Sequence, residues 1–348
     1  MSTPTFQEVF DLVTMQRLLE VSFGPQQFMR KTFFSNVNKS ATKYIQVDKY
    51  KHSRKLAAFV SPIIQGKLVE RKGYTTDVFT PPYIKEKRVS RAYEMFMRPM
   101  GQNPYTPNKS PRTRAMGEMG RDLTELDERL QRRIEHDCCT LMLTGTLNLQ
   151  GDGVDLVYDF GFPSANLWTV TNGKISLSWA NSSADILGDI EDACDEIKKN
   201  TGRIPNIVIL GRNMYKHFRS NEDIRALLDN RRILAGQMKI DLMPKGVTYI
   251  GNIGEIDYYQ YVEYYEDDSG TLQNMFDPDT VLVTSTDLRS SLEFGAIQDL
   301  DFGMNVPAEK FAKTWREPDP SAQVVLLQSA PLPVHHQLEG NIVMKPTT

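Results

Sequence analysis

The stretch MGEMGRDLTELDERLQRRIEHDCCTL, residues 116–141, decides the architecture. Met116, Met119, Leu123, Leu126, Leu130, Ile134, Cys138 and Leu141 recur every three or four residues, which places them on one face of an α-helix. Arg121, Asp122, Glu125, Glu128, Arg129, Arg132 and Glu135 fall on the other faces. The spacing predicts a helix of about 30 residues, roughly 45 Å long, that ends before Gly145. A single apolar stripe suits packing along a sheet; a coiled coil is the alternative.

Working back from this helix, residues 100–113 carry Pro104, Pro107 and Pro111 and read as a linker. The segment before it, 56–98, is unusual. Phe59-Val60-Ser61-Pro62-Ile63-Ile64 reads as a strand interrupted by proline, suited to an edge or bulge. Residues 65–73, 74–83 and 84–89 then read as a long, basic, β-prone hairpin with too few apolar residues to bury a face. An isolated two-stranded hairpin is marginal in water, so this one is expected to lean on another chain. Still earlier, residues 7–20 place Val9, Leu12, Val13, Met15, Leu18 and Leu19 at loosely helical spacing, as in a short amphipathic arm.

Working forward, residues 145–180 hold two β-like pieces, Val154–Phe160 and Leu167–Leu177. From Ser182 the pattern becomes α/β. Ser183 and Asp185 can cap a helix carrying Ile186, Leu187, Ile190, Cys194 and Ile197, stopped by Asn200-Thr201-Gly202. Ile204–Leu210 reads as a buried strand and 213–232 as a further helix. Strands follow in Tyr249–Tyr265 and Thr280–Ser285, around the acidic turn 266–270, and again near Lys313–Trp315 and Val324–Ser329. The expected class is α+β.

The 348 residues suffice for a sizeable core, and no stretch approaches the roughly 18 apolar residues of a membrane span. The first residues show no basic-then-apolar leader, so a soluble protein made in a cytoplasm is expected. Adjacent Cys138 and Cys139, with Cys194 alone, give no disulfide framework and read as small buried residues on helices. The formal charge of −3 hides an asymmetry: residues 1–114 hold 20 Lys and Arg against 8 Asp and Glu, and the remainder 21 against 36. A basic third joined to an acidic two-thirds suits either nucleic-acid binding or attraction between neighbouring copies.

The sequence argues for no catalytic site, metal site or cofactor. His335-His336 read as a solvated pair in a proline-rich tail, since no Cys or carboxylate stands at ligand spacing. Gly151-Asp152-Gly153 and Gly251-Asn252-Ile253-Gly254 are fragments of glycine loops without a dinucleotide fingerprint or a following Gly-Lys-Ser/Thr. The acidic turn lacks the alternating carboxylates of a calcium loop. A soluble nucleic-acid-binding protein using the basic third remains the alternative, through Lys49–Lys55 and Lys85–Arg91. No helix-turn-helix, zinc or RNA-binding signature accompanies those residues.

Four segments resemble the lambda-type major head protein family, phage major capsid protein E, in order and at similar spacing. They are Phe59-Val-Ser-Pro-Ile-Ile-Gln-Gly66, Val78-Phe-Thr-Pro-Pro-Tyr-Ile-Lys85, Val154-Asp-Leu-Val-Tyr-Asp-Phe-Gly161 and Leu326-Leu-Gln-Ser-Ala-Pro-Leu332. The resemblance implies the Hong Kong 97-like capsid fold and an icosahedral head shell around packaged double-stranded DNA. It implies an N-terminal arm (1–55), an extended loop (56–98), a peripheral domain with a spine helix (99–180, returning at 300–348) and an axial domain (181–299). It implies no turnover and no cofactor. The partners implied are further copies in pentamers and hexamers, with scaffold, portal and decoration proteins and non-specifically contacted DNA, and no membrane. The expected inter-subunit residues are Arg71, Lys72, Phe79, Tyr83, Lys85, Lys87 and Arg88.

Overall fold

The computed structural model describes residues 27–49, 54–69, 73, 75–91, 111–225, 246–302 and 307–347. In chain order it begins with α1 (Phe28–Phe33), β1 (Val37–Lys39), β2 (Ile45–Lys49), β3 (Thr75–Phe79), β4 (Ile84–Arg91) and the long α2 (Pro111–Thr144). There follow β5 (Thr146–Gly151), β6 (Val154–Asp159), β7 (Leu167–Thr169), α3 (Ile186–Thr201), β8 (Ile207–Leu210) and α4 (Arg212–Ser220). The remaining strands are β9 (Val247–Ile253), β10 (Ile256–Tyr261), β11 (Tyr264–Glu266), β12 (Leu272–Asn274), β13 (Val281–Thr284), β14 (Ser290–Phe294), β15 (Phe311–Glu317), β16 (Ala322–Ser329), β17 (Pro331–His335) and β18 (Ile342–Lys345). The expected amphipathic arm at 7–20 and residues 100–110 of the expected linker lie outside the described residues, while 111–113 of that linker already belong to α2. The expected helix 213–232 does not run through: α4 stops at Ser220, where Asn221 takes an extended backbone with ψ of 133°, and 226–232 lie outside the described residues.

The expected stripe is buried: Met119, Leu123, Leu126, Leu130, Ile134, Cys138 and Leu141 each lie inside. At 34 residues α2 is longer than its spacing predicts, about 50 Å. It stops at Gly145, where φ is +67° and an added Cβ would lie 2.3 Å from Cβ of Phe162, so glycine alone fits this corner. The helix buries more than its stripe. Asp127, Gln131, Glu135 and Asp137 are buried too, because α1, β16 and β17 also pack against α2. Glu135 is therefore not on a solvent face, as the stripe alone suggests.

The local signals of the α/β part hold. Asp185 caps α3 by accepting the Gly188 N–H at 2.8 Å, and Gly202 ends it with φ of +73°. The sheet beside it has the order β7-β18-β13-β8-β10-β9. β8 is parallel to β10 and antiparallel to β13. Successive side chains feed two cores: Ile207 and Ile209 join the cluster around α2, while Val208 and Leu210 join that around α3 and α4. The segment read as one strand, Leu167–Leu177, is a strand only to Thr169. There Asn172 folds the chain back, donating to the Leu167 carbonyl and accepting the Thr169 N–H.

The hairpin departs most from expectation. β3 pairs not with β4 but with β2, with Ile45 opposite Phe79 and Lys49 opposite Thr75. β4 instead joins a three-stranded sheet, β15-β16-β4, along its whole length. The reason is polar: Glu86 and Arg88 face α2, where Arg129 grips Glu86 through Nε at 2.9 Å and through a terminal nitrogen at 3.0 Å. Such contacts leave no hydrophobic period in the sequence. Phe59–Ile64 forms no strand; Pro62 and Ile63 make a turn closed by Ile64 N–H to the Ser61 carbonyl at 3.0 Å.

The buried stripe gives a direct test. Ile134→Asp places an unpaired carboxylate where Ile134 is 1 % exposed and should cost several kcal/mol, roughly 3 or more. Glu128→Ala, half-buried on the same helix, should cost less than about 0.5 kcal/mol. Equal denaturant midpoints for the two variants would show that the stripe does not carry the fold.

Candidate assembly surface

β2 and β3 form the base of a projecting hairpin. Ile45, Val47 and Phe79 are buried at that base, and Phe79 stacks on Phe160 with centroids 4.9 Å apart and meets Tyr158 edge-on at 5.3 Å. Tyr158 donates to the Thr80 carbonyl at 2.6 Å, pinning the strand's exit. Beyond this base the chain carries apolar side chains with nothing over them. Leu56 is 95 % exposed, Phe59 106 %, Ile63 95 % and Leu68 88 %. Single exposed apolar residues are ordinary, but a run of them on one projection marks an interaction surface.

One contact ties this projection to the rest of the chain. The Arg54 guanidinium donates to the carbonyls of Lys198 at 3.2 Å, Lys199 at 2.5 Å and Asn200 at 2.7 Å, at the C-terminal end of α3, where Lys198 also accepts the Gly202 N–H. A cation there meets the carbonyl oxygens of the last turn and the negative end of the helix dipole.

The seven expected contact residues are not brought together. Arg71 and Lys72 lie outside the described residues. Phe79 is part of the hairpin's buried base, and the half-buried Tyr83 gives its hydroxyl hydrogen to Gln328. Burial raises the Tyr83 pKa. Arg88 faces α2, bonding Asp122 at 3.2 Å and also Glu125. Lys85 and Lys87 are exposed on the opposite side of β4 and have no ion-pair partner among the described residues. They line an open cleft of about 470 Å³ with Lys313, Trp315 and Asp301, where Lys313 is already held by Asp299 at 2.7 Å and Asp301 at 3.0 Å. The exposed residues at 56–68 were not among the expected contact residues, although their apolar run beside a proline was visible in the sequence.

The three cysteines and His335 are buried and neutral. All three cysteines are free and inside, and burial pushes the Cys194 thiol up to about 11. His335 is not solvated as its tail position suggests: it is 2 % exposed on β17, and burial lowers its pKa to about 4. Its Nδ1 accepts the Gln337 N–H at 3.1 Å, and its ring meets Phe34 edge-on. Among the described residues no group of three His, Cys, Asp or Glu is placed to hold a metal ion. No described helix is long and apolar enough to cross a membrane.

A mixed α+β molecule with a long helix and a run of exposed apolar side chains is of a class that packs against other chains. The family model described as phage major capsid protein E matches residues 11–345, and the chain belongs to that family. It is 25 % identical over 320 residues to the major capsid protein of Escherichia phage lambda, covering 90 % of this chain and 92 % of that one. It is 26 % identical over 313 residues to the major capsid protein of Enterobacteria phage P21, covering 87 % and 89 %. Its fold matches a crystal structure described as a prophage capsid protein from Escherichia coli CFT073, with a TM-score of 0.68 at 21 % identity over 99 % of each chain. A phage-related protein from Bordetella bronchiseptica RB50 matches with a TM-score of 0.57 at 10 % identity over 97 % of each. The protein is a head-shell-building capsid protein, and its place is the virion.

The two faces of β4 should respond differently to charge reversal. Arg88→Glu sets a carboxylate against Asp122 and Glu125 and should lower fold stability by about 1 kcal/mol or more. Lys85→Glu and Lys87→Glu should each stay within about 0.5 kcal/mol of the parent. Chemical denaturation of the three variants checks this, and a large loss for Lys87→Glu would place its side chain in an internal contact.

Proposed function

We propose that the projection at residues 54–69 lies across a neighbouring copy and that this contact closes an icosahedral shell around packaged double-stranded DNA. The observation that carries the reading is the run Leu56, Phe59, Ile63, Leu68, fully exposed on a hairpin whose base is firmly packed. Burying a side chain of this kind contributes roughly 1.5–3 kcal/mol. Four or five together reach about 10 kcal/mol, the size of the entropic cost of association. The same residues left in water favour aggregation, so a partner surface is the natural occupant.

In this reading the chain divides into an arm at 1–55, a loop at 56–98, a peripheral domain at 99–180 and 300–348, and an axial domain at 181–299, as in the Hong Kong 97-like capsid fold. The axial domains gather into pentamers and hexamers. Lys85 and Lys87, with Arg71 and Lys72, meet acidic surface of a neighbour. Scaffold, portal and decoration proteins complete the head, which assembles in the host cytoplasm and touches DNA through phosphates alone.

Replacing residues 51–73 with a short Gly-Ser turn removes the projection and spares the buried Ile45, Val47 and Phe79. The variant should unfold cooperatively near the parent's midpoint yet form no shells or rings by electron microscopy. A variant that fails to fold would assign the loop to the chain's own core. Charge contacts add a second test. Parent assembly without nucleic acid should weaken between about 0.1 and 1 M salt, as screening shortens to roughly 3 Å. The double variant Lys85→Glu, Lys87→Glu should assemble poorly at the lower salt. Salt dependence seen only after DNA is added would favour a nucleic-acid-binding role instead.

A further inference from the structure

The N-terminal segment is held to α2 by one carboxylate. Glu135 Oε1 accepts the Met29 N–H at 2.7 Å, and Oε2 accepts the Arg30 N–H at 3.0 Å. Phe28, Met29, Phe33 and Phe34 are buried around this contact. The same carboxylate meets a third element, since the Tyr261 hydroxyl of β10 lies 3.1 Å from Glu135 Oε1. That hydroxyl also lies 2.8 Å from Glu263 Oε2.

The proton count is the point of interest. A tyrosine hydroxyl has one proton to give, yet this one faces two carboxylates. With both ionised, one carboxylate oxygen meets a lone pair of the phenol, and two negative charges share a water-poor site. A second proton, on one of the carboxyls, turns the row into donor-to-acceptor pairs. Glu135 is its natural holder, being 1 % exposed, whereas Glu263 is less buried and faces Arg132. Burial pushes Glu135 up to about 7 and raises Glu263 as well. Among the described residues, the other groups around Glu135 supply no compensating cation. Cys138 and Cys139, one turn on, are buried with pKa values pushed well above the ordinary thiol value. Burial also raises Tyr261, which stays neutral. The Arg30 guanidinium is turned to Gln27 at 2.7 Å and Glu309 at 3.7 Å.

We propose that Glu135, Tyr261 and Glu263 form a proton-sharing latch, in which docking of the segment from Gln27 to Phe34 onto α2 takes up one proton. Releasing the segment lets water reach Glu135, which then ionises as an ordinary carboxylate. The docked state binds the proton more tightly, so docking is favoured below about pH 4.5 and the advantage is lost as pH rises towards about 7. His335, packed on Phe34, works in the opposite sense: its lowered pKa withdraws stability as pH falls from about 6.5 to about 4. The two offset each other across much of one window, so bulk stability conceals the latch and only a local measurement with Glu135 varied exposes it.

That measurement is amide hydrogen exchange by mass spectrometry on the full chain, read as protection factors for a peptide covering 27–34 between about pH 5 and 8. The ratio of parent to Glu135→Gln protection leaves the His335 contribution common to both. It should fall about tenfold per pH unit up to about pH 7 and then level off. A ratio independent of pH overturns the latch, as does the same ratio in a peptide from β16, which would mean global opening. Should Glu135→Gln fail to fold, Glu263→Gln serves. Removing the second carboxylate frees Tyr261 to donate to Glu135, so the pH at which parent-like protection levels off should move down; an unchanged pH overturns the proton sharing.

Discussion

The constraint on which the rest depends is that α2 buries carboxylates as well as its apolar stripe. Asp127, Glu135 and Asp137 are all under 5 % exposed. A buried charge without a partner costs several kcal/mol, more than any one surface contact returns. Each must therefore find donors, and two find them far away in sequence. Lys310 reaches Asp127 across 183 residues, and the backbone at Met29 reaches Glu135 across 106. Asp137 is served from its own helix by Arg133 and His136, each at 3.2 Å. The helix thus fixes the position of both the N-terminal segment and the C-terminal return, and the apolar stripe supplies the energy that this fixing needs.

What the sequence revealed and what it hid follow from the range of the interactions. The stripe of α2, the Asp185 cap, the Gly202 stop and the strand before Leu210 are local patterns, and each was readable within a dozen residues. Strand partners are not local. Residues 65–89 carry β-prone character, but nothing in them states that β3 pairs back to Ile45 and β4 forward to Ala322–Ser329. Glu135 and His335 were misplaced for one reason: a polar residue reads as exposed until the elements covering it are known. Of the expected contact residues, Lys85 and Lys87 are exposed, while Phe79 and Arg88 serve the chain's own packing. Strand alternation could have separated Lys85 and Lys87 from Arg88, because neighbours on β4 face opposite ways.

The hairpin joins two requirements that ordinarily oppose each other. A strand pair needs a buried base to hold its register, and an assembly contact needs apolar side chains left in water. Here the two are divided along its length. Ile45, Val47 and Phe79 satisfy the first at one end, and the exposed run from Leu56 to Leu68 suits the second at the other. The base belongs to the main core through Phe160 and Tyr158, so a partner at the far end would pull on a fixed support. If the proposed contact forms, such a support would convert a local contact between copies into a defined angle between them.

Charge plays a different part from apolar contact. Part of the basic surplus in residues 1–114 is already spent within the chain: Arg88 on α2, Arg30 and Lys39 on Glu309, and Arg54 on the end of α3. Among the described residues Lys85 and Lys87 are exposed without an ion-pair partner, and individual contacts of such charges contribute only about 0–1 kcal/mol. Such contacts cannot hold a shell alone. They can select which face of a neighbour is approached and in what register, since like charges misaligned are costly while apolar groups accept many arrangements. Affinity from the apolar run and orientation from the lysines would then be separable quantities. Weak orienting contacts also suit a closed shell, because a misplaced copy can leave before its neighbours lock it in.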